Sequence, residues 1–155
     1  LIKKKLVDES RIVIFGNSAG GFTALNTLCR EELFKAAICK YPVLDLTQMH
    51  FNTHRFEKNY LNSLIGDFDK NKNKYFERSP INKTDHINKP VLLFHGKKDC
   101  VVDYKISIEF NKKLLHNNIY SEIHLYKNEG HGFRELKNKL NYLHLTELFL
   151  KKFFL

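Results

Sequence analysis

A chain of 155 residues with 43% hydrophobic side chains can bury one sizeable core and is too short for two independent domains. The net charge of +9, from 26 Lys and Arg against 17 Asp and Glu, is spread through Lys3 to Lys5, Lys70 to Lys74, Lys97, Lys98, Lys151 and Lys152 without the Gly/aromatic pattern of an RNA-binding surface. It therefore reads as a Lys- and Asn-rich background and not as a nucleic-acid footprint. No apolar run approaches the ~18 residues of a membrane span, so a soluble protein with no membrane partner is expected.

The chain begins Leu1-Ile2-Lys3-Lys4-Lys5, which lacks the apolar core of a signal peptide, and a first residue other than Met makes it read as a fragment or a processed product. The run Arg11-Ile12-Val13-Ile14-Phe15 ends at Gly16 and predicts a strand buried on both faces of a parallel sheet. Ala19 to Arg30 carries Phe22, Leu25 and Leu28 on one helical face. Lys35 to Tyr41 repeats the strand pattern and stops at Pro42, which has no N–H for a central ladder. In the mixed stretch from Asp45 to Ile87 the pattern predicts a helix over Phe56 to Ile65 and an exposed loop over Asp67 to Lys74. The aromatics from Tyr41 to Tyr60 read as core sooner than as the lining of an apolar substrate pocket.

Pro90 to Gly96 is the clearest strand. Tyr104 to Asn117 places Ile106, Ile108, Phe110, Leu114 and Leu115 near helical spacing, Ser121 to Tyr126 alternates as a strand, and Leu136 to Phe154 makes a terminal amphipathic helix. The order β-α-β-(α)-β-α-β-α predicts an α/β domain, a mostly parallel sheet with helices on both faces, with no internal repeat and no linker. Cys29, Cys39 and Cys100 are odd in number and show no C-x-x-C spacing, so a reducing, cytoplasmic compartment is expected in place of a disulfide framework.

Gly16-Asn17-Ser18-Ala19-Gly20 fits G-x-S-x-G and lies where that motif must lie, between a buried strand and a helix. A nucleophile in so sharp a turn needs small residues two positions to either side, since side chains there would meet neighbouring backbone; Gly16 and Gly20 answer that need. The turn lifts the Ser18 hydroxyl to the C-terminal edge of the sheet. The Ala19 N–H at the helix start points into the same space, where it can stabilise a developing oxyanion. Stripped of that chemistry, the same residues are a glycine-bearing turn and no more.

A serine hydroxyl is a poor nucleophile near neutral pH, so it needs a histidine as base and a carboxylate to fix the histidine's tautomer. Asp99 follows the strand Val91 to Phe94 through His95-Gly96-Lys97-Lys98, at the same sheet edge as Ser18. Asp103 is better explained as the N-cap of the next helix, and Asp45, Asp67 and Asp69 are weaker rivals. His131, in Glu129-Gly130-His131-Gly132-Phe133, follows the last strand between glycines that permit close approach. His124 lies in a strand, His144 on the last helix, and His50, His54, His86, His95 and His116 away from that strand end; solvated or core-satisfied histidine is their expected state. Cys100, beside Asp99, is expected to be a bland buried cysteine. No H-E-x-x-H, paired Cys/His set, EF-hand loop or phosphate-cradling motif occurs, so neither metal nor cofactor is expected.

Through Gly16-Asn17-Ser18-Ala19-Gly20-Gly21, His95-Gly96-Lys97-Lys98-Asp99 and Glu129-Gly130-His131-Gly132-Phe133 the chain resembles the prolyl oligopeptidase family of serine peptidases, and within it the acylaminoacyl-peptidase and dipeptidyl-aminopeptidase-like branch. His54-Arg55-Phe56-Glu57 with Tyr60-Leu61, then Ser79-Pro80-Ile81, are similar to that branch's middle segment. The resemblance covers essentially the whole chain. It implies an α/β-hydrolase fold, with residues 1–155 as the C-terminal portion of a catalytic domain whose first strands, and commonly a β-propeller, lie upstream. It also implies a serine-type peptidase that cleaves short peptides through an acyl-enzyme on Ser18, with Asp99 and His131 completing the triad and a peptide substrate as partner. The family's second oxyanion donor, an upstream tyrosine hydroxyl, would lie outside this segment, so the segment alone is expected to be weakly active or inactive, one lost donor costing ~10²–10³ in turnover. Two alternatives use the same motif: a carboxylesterase-like serine hydrolase, and a truncated non-catalytic remnant. The sequence carries no signal for oligomeric state.

Overall fold

The computed structural model describes residues 1–52 and 55–155, the side chains of residues 55–59 excepted. Strands β1 (Val13–Asn17), β2 (Ala36–Lys40), β3 (Val91–Gly96) and β4 (Ser121–Tyr126) form one sheet in the order β1-β2-β3-β4, and every neighbouring pair is parallel. Parallel neighbours need long crossovers. Helix α1 (Ala19–Leu28) joins β1 to β2; α2 (Leu46–Asn52), α3 (Arg55–Ile65) and α4 (Phe68–Arg78) fill the connection to β3; α5 (Tyr104–His116) joins β3 to β4; and α6 (Leu136–Phe154) follows β4. Because all four strands run the same way, the turns after β1, β3 and β4 open at one edge of the sheet.

The strands alternate between two cores with the period of two that a pleated backbone imposes. Ala37, Cys39, Val91 and Leu93 face Leu25 and Leu28 of α1 and Phe110 and Leu114 of α5. Ala36, Ile38, Leu92 and Phe94 face Phe149, Tyr142 and Leu145 of α6. The expected α/β architecture with helices on both faces is what the chain adopts. In β3, covered on both faces and paired on both sides, every residue is buried; each of its apolar side chains contributes about 1.5–3 kcal/mol of transfer free energy.

Two expectations fail. Strand β1 is not buried on both faces: Val13 and Ile14 are half-buried and Phe15 is 51% exposed. Within the described residues β1 pairs only with β2, so it is a sheet edge, and an apolar run does not reveal how many neighbours a strand has. Residues Asp67 to Lys74, expected as an exposed loop, instead enter α4. Asp67 caps it by accepting the Lys70 N–H (3.2 Å), and Phe68 and Tyr75, seven residues apart, form its buried stripe. The helix bends at Asn71 (φ −128, ψ 24), whose side-chain amide donates to the Asp67 carbonyl (2.8 Å).

Helix α2 is also unmarked in the sequence reading. Asp45 starts it, its Oδ1 accepting the N–H groups of Thr47 (2.8 Å) and Gln48 (3.0 Å). Ser79, fully buried, accepts the Leu46 N–H (2.9 Å) and donates to the Tyr75 carbonyl (2.7 Å), tying the start of α2 to the end of α4. Of the middle-segment motif, His54 and the side chains of Arg55, Phe56 and Glu57 lie outside the described residues. Among the described residues no helix is long and apolar enough to cross a membrane.

Candidate active site

Ser18 sits between β1 and α1 with φ 52 and ψ −121, a backbone state that side chains rarely adopt. Three backbone hydrogen bonds hold it there. Its N–H donates to Lys40 O (3.0 Å), and its carbonyl accepts from Phe22 (3.2 Å) and Val43 (3.2 Å). Although Ser18 occupies the N-cap position, its hydroxyl makes no cap hydrogen bond; Oγ lies instead 2.9 Å from Nε2 of His131. Ala19 opens α1, where the first N–H groups have no partner within the helix.

The glycine requirement is half as expected. A Cβ at Gly16 would overlap Gly20 backbone, lying 2.5 Å from its carbonyl carbon and 2.6 Å from the Gly21 nitrogen. A Cβ at Gly20 would meet nothing within 4 Å, whereas one at Gly21 would press on Pro42 (2.6 Å). The turn is thus tight across Gly16 and Gly21. Gly20 contributes its backbone, not the absence of a side chain.

Asp99 is placed by the turn after β3. Its Oδ1 accepts the N–H groups of Val101 (2.9 Å) and Val102 (3.0 Å), and its Oδ2 accepts His131 Nδ1–H at 2.9 Å. The side chain is fully shielded from solvent. Burial by itself pushes this carboxyl up, but hydrogen bonds from His131, His95 and the N–H groups of Val102 and Val101 outweigh it and hold Asp99 well below the usual carboxylate range. An ionised Asp99 only accepts, so the His131 proton sits on Nδ1 and Nε2 is left to accept the Ser18 hydroxyl. Its rival Asp103 caps α5, accepting the Lys105 N–H (3.0 Å).

His131 stands on a tight loop after β4, pinched by a bridge between Gly130 and Gly132. Gly132 has φ +119, which excludes other residues without strain. The His131 ring, 23% exposed, leans on Tyr41 (4.6 Å between centroids), and Tyr41 packs edge-on against Phe133 (5.7 Å). An acceptor nitrogen beside a hydroxyl, its tautomer set from behind by a buried carboxylate, can take the hydroxyl proton during attack on an electrophile and return it to a leaving group.

Three contributors escaped the sequence reading. His95 does not lie away from the site: its Nε2 is 3.2 Å from Asp99 Oδ2, because the turn folds residue 99 back over residue 95. Glu129, buried, accepts the N–H groups of Arg134 (2.8 Å) and Glu135 (3.0 Å) and the Asn138 amide (2.8 Å), while its backbone carbonyl accepts the Lys98 N–H (2.9 Å). It therefore fastens the His131 loop both to the start of α6 and to the Asp99 loop. Tyr41 supplies the wall behind His131. The sequence signals were the places of His95 and Glu129 in the motifs His95-Gly96-Lys97-Lys98-Asp99 and Glu129-Gly130-His131-Gly132-Phe133 and, for Tyr41, the end of β2.

Of the other histidines, His86, His116, His144 and His124 fall as expected, whereas His50 is neither solvated nor satisfied at Nδ1, which is buried without a hydrogen-bond partner among the described residues. His86, His116 and His144 are exposed, His124 pairs with Glu122 and stacks on Phe94, and His50 stacks on Phe68 at 4.3 Å. His54 lies outside the described residues. Cys100 is exposed, contrary to expectation, since its side chain points out of the turn that buries Asp99. Beside Ala19 opens an apolar cavity of about 290 Å³ lined by Val43, Leu46, Met49, Tyr60 and Leu64. Tyr60 is 54% exposed, so it borders a cavity where core was expected. Among the described residues no group of three His, Cys, Asp or Glu side chains could hold a metal ion.

A family model described as the prolyl oligopeptidase family matches residues 1–155. The chain is similar to the acylamino-acid-releasing enzyme of Rattus norvegicus, 26% identical over 145 residues that cover 88% of this chain and 20% of that protein. It is similar to dipeptidyl aminopeptidase BIII of Pseudoxanthomonas mexicana, 27% identical over 155 residues, 96% of this chain and 22% of that protein. Among solved structures it is similar to a Mycobacterium tuberculosis puromycin-hydrolysing peptidase, with a TM-score of 0.94 at 33% identity over 99% of this chain and 24% of that one. The chain spans about a fifth of the length of these curated relatives.

Proposed function

Because the chain belongs to the prolyl oligopeptidase family, we propose that it carries the nucleophile, base and acid of a serine-type peptidase acting on short peptides. On this reading residues 1–155 are the C-terminal portion of the α/β-hydrolase catalytic domain. Ser18 Oγ attacks the scissile carbonyl carbon while His131 Nε2 takes its proton. The Ala19 N–H, at the positive end of α1, stabilises the oxyanion. His131 then gives the proton to the leaving amine, and the acyl group stays on Ser18. Water then attacks the acyl carbon while His131 takes its proton, and His131 returns that proton to Ser18 Oγ as the acyl–oxygen bond breaks and the acid product leaves. Asp99 remains ionised throughout and stabilises the imidazolium.

The observation that carries this reading is the chain of hydrogen bonds from Asp99 through His131 to Ser18, with both links at 2.9 Å. The cavity beside Ala19 supports a preference for an apolar side chain on the acyl side of the scissile bond. The relatives' names, acylamino-acid-releasing enzyme and dipeptidyl aminopeptidase, support small amino-terminal units as products and peptides over simple esters. The free thiols of Cys29, Cys39 and Cys100 support a cytoplasmic setting.

The test is labelling by a fluorophosphonate probe of this chain and of a version extended upstream, with the modified residue located by mass spectrometry. Modification of Ser18 that disappears in His131→Ala is expected. An extended protein that takes no label would leave the non-catalytic remnant as the answer, and faster turnover of esters than of matched peptide amides by orders of magnitude would favour the esterase.

A further inference from the structure

His95 is fully buried and takes no step in the reaction described above. Its ring spans the gap between α5 and the Asp99 turn. Nδ1 lies 2.8 Å from the Ser107 hydroxyl, and Nε2 lies 3.0 Å from the Val102 carbonyl oxygen and 3.2 Å from Asp99 Oδ2. A carbonyl and a carboxylate only accept, so Nε2 carries the proton, hydrogen-bonded to the Val102 carbonyl and facing Asp99 Oδ2. Nδ1 meets the Ser107 hydroxyl, which is free to rotate and completes the ring's hydrogen bonding.

The consequence lies at Asp99. Two backbone N–H groups grip Oδ1 and His131 donates to Oδ2, while His95 Nε2, hydrogen-bonded to the Val102 carbonyl, lies 3.2 Å from the same Oδ2 and sets a polar N–H beside it. Among the described residues the hydrogen-bond donor on Oδ2 is His131, which stands on a loop and is partly exposed. His95 stands on β3, the most buried strand, and is packed from behind by α5. We propose that His95 is a positioning residue for the Ser18 reaction, its Nε2–H holding Asp99 Oδ2 in line with His131 while Ser107 fixes the His95 tautomer. The proposal rests on the roles given above to Ser18, Asp99 and His131.

The experiment uses the chain as encoded, with any residues that flank these 155, and compares wild type with His95→Phe, His95→Gln and Ser107→Ala. The readouts are kcat and KM on a chromogenic peptide, the rate of Ser18 modification by a fluorophosphonate, and the melting curve. Phe keeps the ring volume and removes the donor; it should lower kcat and the modification rate by about 10- to 100-fold, the scale of one hydrogen bond to a charged group, with KM within about threefold. Gln restores an N–H donor and should return kcat to within about fivefold of wild type, a rescue that a purely space-filling role would not produce. Ser107→Ala should cost a smaller factor, about 3- to 10-fold.

A folded His95→Phe protein with wild-type kcat would overturn the proposal, as would Gln and Phe variants equally impaired. Should the Phe variant fail to fold, Ser107→Ala decides: a lowered kcat at constant KM supports the proposal and a wild-type kcat overturns it. A wild-type protein that is never modified at Ser18 would instead remove the reading beneath the proposal, which makes the two failures distinguishable.

Discussion

Replacing Asp99 by Asn changes almost no volume, and the structure dictates which way the new amide must face. The Val101 and Val102 N–H groups at Oδ1 can only donate, so the amide oxygen stays there and the NH₂ takes the place of Oδ2. It then confronts His131 Nδ1, at 2.9 Å, and His95 Nε2, at 3.2 Å, both of which were donors. His95 keeps its proton for the Val102 carbonyl. His131 escapes the conflict by moving its proton to Nε2, where it points at Ser18, and the base is lost. Loss of the His131 hydrogen bond to a charged acceptor, at about 1.5–3 kcal/mol, corresponds to roughly 10–10²-fold in rate; loss of the correct tautomer in serine-protease triads costs about 10⁴. We expect Asp99→Asn to lower kcat by about 10³–10⁴ with little change in KM, read by steady-state peptide hydrolysis and by the rate of fluorophosphonate modification. A variant within tenfold of wild type would refute the dependence of the His131 tautomer on Asp99.

The same substitution has a stability signature of definite sign. Hydrogen bonding holds the folded Asp99 carboxyl below the ordinary value of 3.8 despite burial, so its ionised form stabilises the fold at neutral pH. That contribution is present above the unfolded value and fades as pH falls through the interval down to the folded one. Between pH ~4 and ~2 wild type should therefore lose stability more steeply than Asp99→Asn, by up to one bound proton in the slope. Equal slopes in denaturant titrations would contradict it.

Gly16→Ala forces a methyl group into the backbone of Gly20 and Gly21, which no side-chain rotation relieves; we expect a loss of about 1–3 kcal/mol or more in stability together with slowed Ser18 labelling, and a variant with normal melting and labelling would show the turn to be looser than described. Glu129→Gln puts an amide N–H against either the Arg134 N–H or the donors from Glu135 and Asn138, so thermal melting should report a loss of about 1–3 kcal/mol and kcat should fall through the His131 loop; unchanged values of both would remove Glu129 from that role. Under native conditions iodoacetamide should modify exposed Cys100 first, Cys29 more slowly because burial pushes its thiol up, and Cys39 only on unfolding, its buried thiol being pushed up to about 12. Peptide mapping that finds Cys39 modified ahead of Cys100 would contradict the burial assigned to both.

Strands β2, β3 and β4 and helices α1, α5 and α6 are legible in the sequence because their apolar residues recur at the period their burial demands. Val91 to Phe94 form an unbroken apolar run because helices cover both faces of β3. Helix α4 is hidden by the opposite circumstance. It needs only Phe68 and Tyr75 on its inner side, while Lys70, Lys72, Asn73 and Lys74 are solvated, and a helix with so narrow a buried stripe has the composition of a loop. Its real marker was local: Asp67, an N-cap residue, immediately before Phe68.

At the site the division follows the physics of each residue. That Ser18, Asp99 and His131, the residues proposed to react, meet at one edge is legible in the sequence because each follows a strand and parallel strands deliver those positions together; the chemistry then restricts which residue types will serve. His95 obeys no such rule. By alternation it lies on the same face of β3 as Leu93, toward α5, where a histidine looks like one satisfied inside the core, and so it is, by Ser107 and Val102. What makes it more than that is the turn at residues 96–99, which returns Asp99 over it, and the length and shape of that turn are not written in any periodic pattern. Glu129 is concealed in the same way, since its carboxylate is needed by N–H groups that come after it in the chain, at Arg134 and Glu135, and become available only once α6 has formed. Groups that react must be of a few chemical kinds and are marked by identity; groups that hold them need only a donor or an acceptor at the right distance, and that distance is created by folding.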